Sequence, residues 1–150
     1  MQFRSSIFFL FAILCALIGS VSSSASNSDE ELPKLRIGIT KKIPAEDCKR
    51  KARAGDMVAV HYTGSFLDGN VFDSSVQRGT PLTFPLGKGN VIAGWDQGIL
   101  GMCIGEQRKL TIPPHLAYGK NGAGSVIPPD ATLVFTTELV DILGYKHDEL

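Results

Sequence analysis

Glycine and proline set the limits on what this chain can build. Sixteen Gly and eight Pro punctuate 150 residues. Glycine loses the most conformational freedom inside a helix, and proline removes a backbone donor, so the chain is cut into turns and short strands. Leu35, Ile37 and Ile39 alternate with Arg36, Gly38 and Thr40, the period of a half-buried strand. Further strands are expected over 57–66, 71–73, 82–86, 106–112 and 132–143. Pro85 suits an edge or a bulge in the fourth of these six. Only 91–100 reads as a helix: Val91, Trp95 and Ile99 fall four apart, with Ile92 beside them and Asn90 placed to cap the start. Gly94 and Gly98 weaken that helix, so packing must hold it. A set of short strands with one short helix buries its apolar faces as a curved sheet around the helix. The expected class is α+β, a twisted antiparallel sheet of about five strands. Residues 116–129, rich in Gly and Pro, form a long loop expected to wall a site.

The two ends carry addresses. Residues 7–18 are an unbroken apolar run after Arg4, followed by Gly19, Ser20 and further small residues. This pattern is that of a secretory signal peptide over 1–23, cut between about 20 and 25. The run is shorter than the ~20 residues that span a bilayer, so no membrane insertion is expected once it is removed. Residues 24–34 are a Ser-rich, then acidic lead-in, and 35–144 form the domain. The chain ends His147-Asp148-Glu149-Leu150, the tetrapeptide read by an endoplasmic reticulum retention receptor. Together the two signals predict residence in the endoplasmic reticulum lumen.

Charge and motif content exclude several kinds of chemistry. Fifteen basic residues balance fifteen acidic ones, which argues against a nucleic-acid partner held through phosphates. Gly87-Lys88-Gly89 is not a phosphate loop, and no Gly-x-Ser-x-Gly elbow occurs. His61 reads as a strand residue with a structural role, and no His pair has metal-ligand spacing. No cofactor and no metal are expected. Cys15 falls in the leader, which leaves Cys48 and Cys103. In an oxidising compartment that even number fits either one disulfide or two buried thiols.

The remaining signal is aromatic. Val60-His61-Tyr62-Thr63-Gly64, Asp68-Gly69, Phe72-Asp73-Ser74-Ser75, Gly87-Lys88-Gly89 before Val91-Ile92-Ala93-Gly94-Trp95, Ala117-Tyr118-Gly119, Ile127-Pro128-Pro129 and Ala131-Thr132-Leu133-Val134-Phe135 follow one another in order. Over residues 35–143 this strongly resembles the FKBP family of peptidyl-prolyl cis–trans isomerases, and in particular its small endoplasmic-reticulum branch. The resemblance implies a pocket between sheet and helix, with Trp95 as its floor and Tyr62, Phe72, Val91, Ile92 and Phe135 as apolar walls. It implies that the Ile92 N–H and the Tyr118 hydroxyl bond carbonyls of a bound peptide. Asp73 belongs at the rim, oriented by Tyr62 and Arg78. Leu82, Phe84, Asn90 and Ile127 are implied as further binding residues. In relatives of that branch a disulfide joins the positions of Cys48 and Cys103. The implied partners are proline-containing polypeptides and macrolides such as rapamycin and tacrolimus. Leu82 stands where cytosolic members carry an aromatic residue, and Ala123 where a His is common. The alternative function for such a domain is a non-catalytic module that grips proline segments or a partner.

Overall fold

A computed structural model describes residues 31–145 of the chain. The expected leader, the lead-in up to residue 30 and the terminal tetrapeptide lie outside the described residues. The chain divides into two units, 1–31 and 32–150, and the strands and helices described below all belong to the second.

Among the described residues six strands form: β1 Arg36–Lys41, β2 Met57–Phe66, β3 Val71–Ser74, β4 Leu82–Pro85, β5 Gln107–Ile112 and β6 Leu133–Leu143. Two α-helices of the described residues accompany them, α1 Ser75–Arg78 and α2 Ala93–Ile99. The strands make one antiparallel sheet in the order β1-β5-β6-β2-β3, with β4 also paired to β2. The sheet has six strands, against the expected five or so, because β3 and β4 share one edge of β2. Thr63–Ser65 of β2 pair with β3, and Met57–Val60 pair with β4. Pro85 sits in β4 at that edge, where a missing donor costs least.

Strand alternation decides the core. Leu133, Phe135, Thr137 and Leu139 of β6, Val58, Val60 and Tyr62 of β2, and Leu110 and Ile112 of β5 are all buried. They point to one face, and α2 covers it with Trp95 and Ile99. Each fully buried Leu or Ile contributes about 1.5–3 kcal/mol.

The helix is shorter than the sequence suggested, Ala93–Ile99 rather than 91–100. Its N-cap is Ile92, with no side-chain capping bond, so the expected capping role of Asn90 is corrected. The glycines that weaken α2 also explain how closely it packs. A Cβ on Gly94 would lie 2.4 Å from Ile112 Cγ2, and one on Gly98 would lie 2.6 Å from Leu110 Cδ1. The helix therefore rests almost directly on β5.

Cys48, ahead of β2, is joined to Cys103, between α2 and β5, by a disulfide with a Cα–Cα distance of 5.5 Å. No helix of the described residues is long and apolar enough to cross a membrane.

Candidate active site

The site begins with a hairpin. Asp68 accepts the Asn70 N–H at 2.9 Å, Gly69 takes a φ of +91°, and Phe66 N–H donates to Asn70 O at 3.0 Å. This tight turn folds β3 back onto β2 in a register that sets Asp73 opposite Gly64. A side chain at Gly64 would collide with Phe135 and Phe72, both 2.7 Å from its Cβ position. Its absence lets those two rings close over the strand.

The short helix α1 then turns the chain back. Ser74 caps it by accepting Gln77 N–H, and Gly79 ends it in the left-handed region. Arg78 is thereby returned to Asp73, five residues earlier. Its guanidinium donates to Asp73 Oδ1 and, at 2.9 Å, to the Tyr62 hydroxyl. The Tyr62 hydroxyl in turn donates to Asp73 Oδ2. Burial pushes the Asp73 carboxyl up, but the hydrogen bonds from Tyr62 and Arg78 and the Arg78 charge outweigh it. They hold Asp73 below its ordinary value of 3.8. Burial, and then the bond to Asp73, hold the Tyr62 phenol above its ordinary value of 10.0. At neutral pH the pair is therefore an ionised carboxylate beside a neutral phenol.

Beside this triad lies a cleft of about 240 Å³. Trp95, 4% exposed, forms its base, ringed by perpendicular aromatics. Tyr62 meets it at 4.9 Å and 74°, and Phe135 at 5.3 Å and 89°. Phe72 meets Phe135 at 5.7 Å and 88°. Edge-to-face pairs of this kind add about 0.5–1.5 kcal/mol each beyond burial and fix ring orientation. The Trp95 Nε1–H is buried without a hydrogen-bond partner among the described residues. Tyr118, 41% exposed, stands at the mouth. It follows a 3₁₀ turn at Pro114–Leu116 and precedes another at Gly119–Asn121. The expected long loop thus carries a 3₁₀ turn of its own. Ala123 N–H donates to Ile127 O at 2.9 Å, and a Cβ on Gly122 would sit 2.2 Å from that oxygen.

Ten of the thirteen residues named from sequence line this one cleft: Tyr62, Phe72, Asp73, Leu82, Asn90, Val91, Ile92, Trp95, Tyr118 and Phe135. Three do not. Arg78 stands behind Asp73 and Tyr62. Phe84 packs beneath, 5.7 Å from the Trp95 ring. Ile127 is 6% exposed and belongs to the loop itself, turned into the core. Sequence reasoning missed Asp96. Its carboxylate accepts Gly87 N–H at 2.7 Å and Gly89 N–H at 3.0 Å, tying the preceding turn to α2. The signal available was an acidic residue in a first helical turn.

The arrangement offers apolar enclosure rather than a nucleophile. His61 Nδ1 lies 3.0 Å from Ser75 Oγ, but Ser75 is fully buried and its hydroxyl oxygen accepts Tyr62 N–H at 2.8 Å. That pair serves the fold.

Comparison with known proteins agrees with this geometry. Residues 48–140 match the family model described as FKBP-type peptidyl-prolyl cis-trans isomerase. The chain is 66% identical over 133 residues to FK506-binding protein 2 of Yarrowia lipolytica, covering 89% of this chain and 90% of that protein. It is 62% identical over 112 residues to peptidyl-prolyl cis-trans isomerase FPR2 of Saccharomyces cerevisiae, covering 74% and 83%. The crystal structure of AtFKBP13 superposes with a TM-score of 0.64 at 40% identity, covering 72% of this chain and 92% of that one. A sheet wrapped on a short helix, an aromatic cleft between them and relatives of this identity lead to one conclusion: the chain belongs to the FKBP-type peptidyl-prolyl cis-trans isomerases.

Proposed function

We propose that this chain accelerates rotation about X–Pro bonds of polypeptides folding in the endoplasmic reticulum lumen, using the Trp95 cleft as its active site. The observation that carries this reading is the set of perpendicular rings around Trp95 beside a carboxylate already held by two donors. Rotation about an X–Pro amide breaks resonance over a barrier of ~18–20 kcal/mol, and it makes or breaks no covalent bond. It is slow enough to limit folding. The planar amide is the more charge-separated form, so an apolar enclosure costs it more than it costs the twisted one. In the proposed mechanism Trp95, Phe72 and Phe135 hold the proline ring. The Ile92 N–H and the Tyr118 hydroxyl bond flanking carbonyls and leave the amide free to turn. Complementarity to the twisted form lowers the barrier.

The cleft is also the proposed site for macrolides such as rapamycin and tacrolimus, whose pipecolinyl ring would take the place of proline. Several relatives are named for FK506 binding, which supports this. Leu82, 39% exposed at the edge, offers a bound drug less ring contact than an aromatic residue would. Residence in the lumen rests on the apolar run 7–18 and the terminal His147-Asp148-Glu149-Leu150. Deleting those four residues is expected to send the protein into the medium, and a truncated protein that stays inside would refute the retention reading.

The decisive test of function is cis-to-trans conversion of short X–Pro peptides by the purified chain without its leader. Turnover that macrolide abolishes competitively is expected. Absence of turnover, or drug and peptide binding independently, would overturn the proposal.

A further inference from the structure

The helix beneath the cleft cannot orient itself. α2 has seven residues, too few to be stable alone. At its C-terminus a turn through Gly101, φ +77°, lets Met102 N–H donate to Ile99 O at 3.1 Å, which serves that one carbonyl. Leu100 takes φ −53° and ψ 132° rather than the left-handed cap, and no basic residue lies in the last turn. Helix termini leave carbonyls that need donors, and for Gly98 and Leu100 the donor comes from the adjacent strand. Arg108 of β5 reaches across with Nη1 at 2.9 Å from Gly98 O and 3.0 Å from Leu100 O.

Arg108 is itself held. Its Nε donates to Glu106 Oε1 at 2.6 Å, and the two side chains are 11% and 6% exposed. The other Glu106 oxygen accepts Cys103 N–H at 2.9 Å. The Glu106 backbone exchanges further bonds, donating to Cys103 O at 3.0 Å and accepting Leu139 N–H at 3.1 Å. A buried carboxylate fixed to two neighbouring segments thus aims a planar, multi-donor guanidinium at the end of the active-site helix. At the opposite end Asp96 ties α2 to the turn at Gly87 and Gly89. Trp95 is the residue immediately before Asp96, in the same short helix whose end Arg108 holds.

We propose that Arg108 is a positioning residue for prolyl isomerisation. Aimed by Glu106, it acts through the last turn of α2 to set the tilt of Trp95, and hence the fit of the cleft to a twisted prolyl amide. The proposal rests on the reading of the Trp95 cleft as the active site. A buried ion pair is weak support for stability by itself, because two charges must be desolvated to form it. Its role at this place is orientation.

The test uses the chain without its leader, with the disulfide intact, in three variants: Arg108→Met, Arg108→Lys, and Glu106→Gln with Arg108→Met. The readouts are Tm, the emission of Trp95, which is the chain's single tryptophan, and kcat/KM on an X–Pro peptide. Arg108→Met strands a buried carboxylate, so its Tm falls. The double variant removes that charge and recovers most of the Tm. Its kcat/KM nevertheless stays about fivefold or more below wild type, because small displacements of a positioned group cost rate steeply. Its Trp95 emission stays shifted. Arg108→Lys keeps the charge without the fork and restores only part of the rate. A double variant with wild-type kcat/KM and unmoved Trp95 emission would overturn the proposal and leave the pair a structural feature. An inactive wild-type chain would instead sink the isomerase reading, while the emission comparison would still decide whether Arg108 orients α2.

Discussion

Asp73 is the only acidic residue among those lining the cleft, and its two donors decide what it can do. Burial alone would raise its pKa, yet Tyr62 and Arg78 hold it below 3.8. A carboxyl so depressed carries no proton to give at neutral pH. Its stability contribution has a definite sign. A depressed acid stabilises the fold fully above its unfolded value and loses that effect as pH falls through its folded value. Asp56 follows the same course. Burial raises it, but the Arg53 N–H and the Arg50 side chain, 2.6 Å away, lower it further. Acid unfolding is therefore expected below the ordinary carboxylate range and not near neutrality. Arg78→Leu is predicted to raise the Asp73 titration midpoint, since burial then meets only the bonds from Tyr62 and the Ser74 N–H. Following the Asp73 side-chain carboxyl by NMR across acid pH checks this. A midpoint unchanged in Arg78→Leu would mean that the ion pair, largely exposed to water, is screened to nothing.

In α2, helix propensity and packing make opposite forecasts. Replacing Gly94 by Ala favours a helix by about 0.8–1.0 kcal/mol. The added Cβ, however, falls 2.4 Å from Ile112 Cγ2, an atom branched at its own Cβ and fully buried. Overpacking costs about 1–3 kcal/mol, so Gly94→Ala is predicted to be destabilising, read as a lower urea midpoint with an unchanged slope. A stabilised variant would show that the helix can lift from β5. This residue also illustrates what was legible in the sequence. Gly94 reads locally only as a weak point, because its reason lies on a strand eighteen residues away. The cleft lining was legible because its residues sit in short contiguous motifs. The strands were legible because alternation reports burial directly, as it does for Leu133, Phe135, Thr137 and Leu139. Helix α1 was not, since four residues carry no periodicity, although the Ser74 cap and Gly79 stop were in plain view. The start of α2 was misplaced for a similar reason. Asn90 is a good cap by type, but it lines the cleft, and in the first helical bond Trp95 N–H donates to Ile92 O at 2.9 Å. Arg108 was hidden because its partners are backbone carbonyls brought near only by folding.

Seen as a whole, the domain combines a modest core with one long covalent closure. The disulfide spans a sequence separation of 55 residues, for which chain entropy gives about 4 kcal/mol of stabilisation. Reduction is predicted to lower Tm by roughly 10–20 °C for a domain of this size. The cysteines do not line the Trp95 cleft, so turnover at moderate temperature should persist. Loss of activity in a reduced but folded protein would tie the bridge to catalysis. The central claim concerns the cleft itself: an enclosure built before substrate arrives twists the prolyl bond, without proton transfer. Peptide isomerisation by Phe72→Ala and Asp73→Asn, each first shown to unfold as wild type does, tests it most directly. Phe72 supplies the ring that packs on Phe135 and Phe66, whereas Asn keeps an acceptor for the Tyr62 hydroxyl. The account predicts that Phe72→Ala loses roughly tenfold or more in kcat/KM, about 1.4 kcal/mol of transition-state stabilisation. It predicts a smaller loss for Asp73→Asn and a wild-type rate flat across neutral pH. A fully active Phe72→Ala beside an inactive Asp73→Asn, with a rate that titrates as one group, would contradict it.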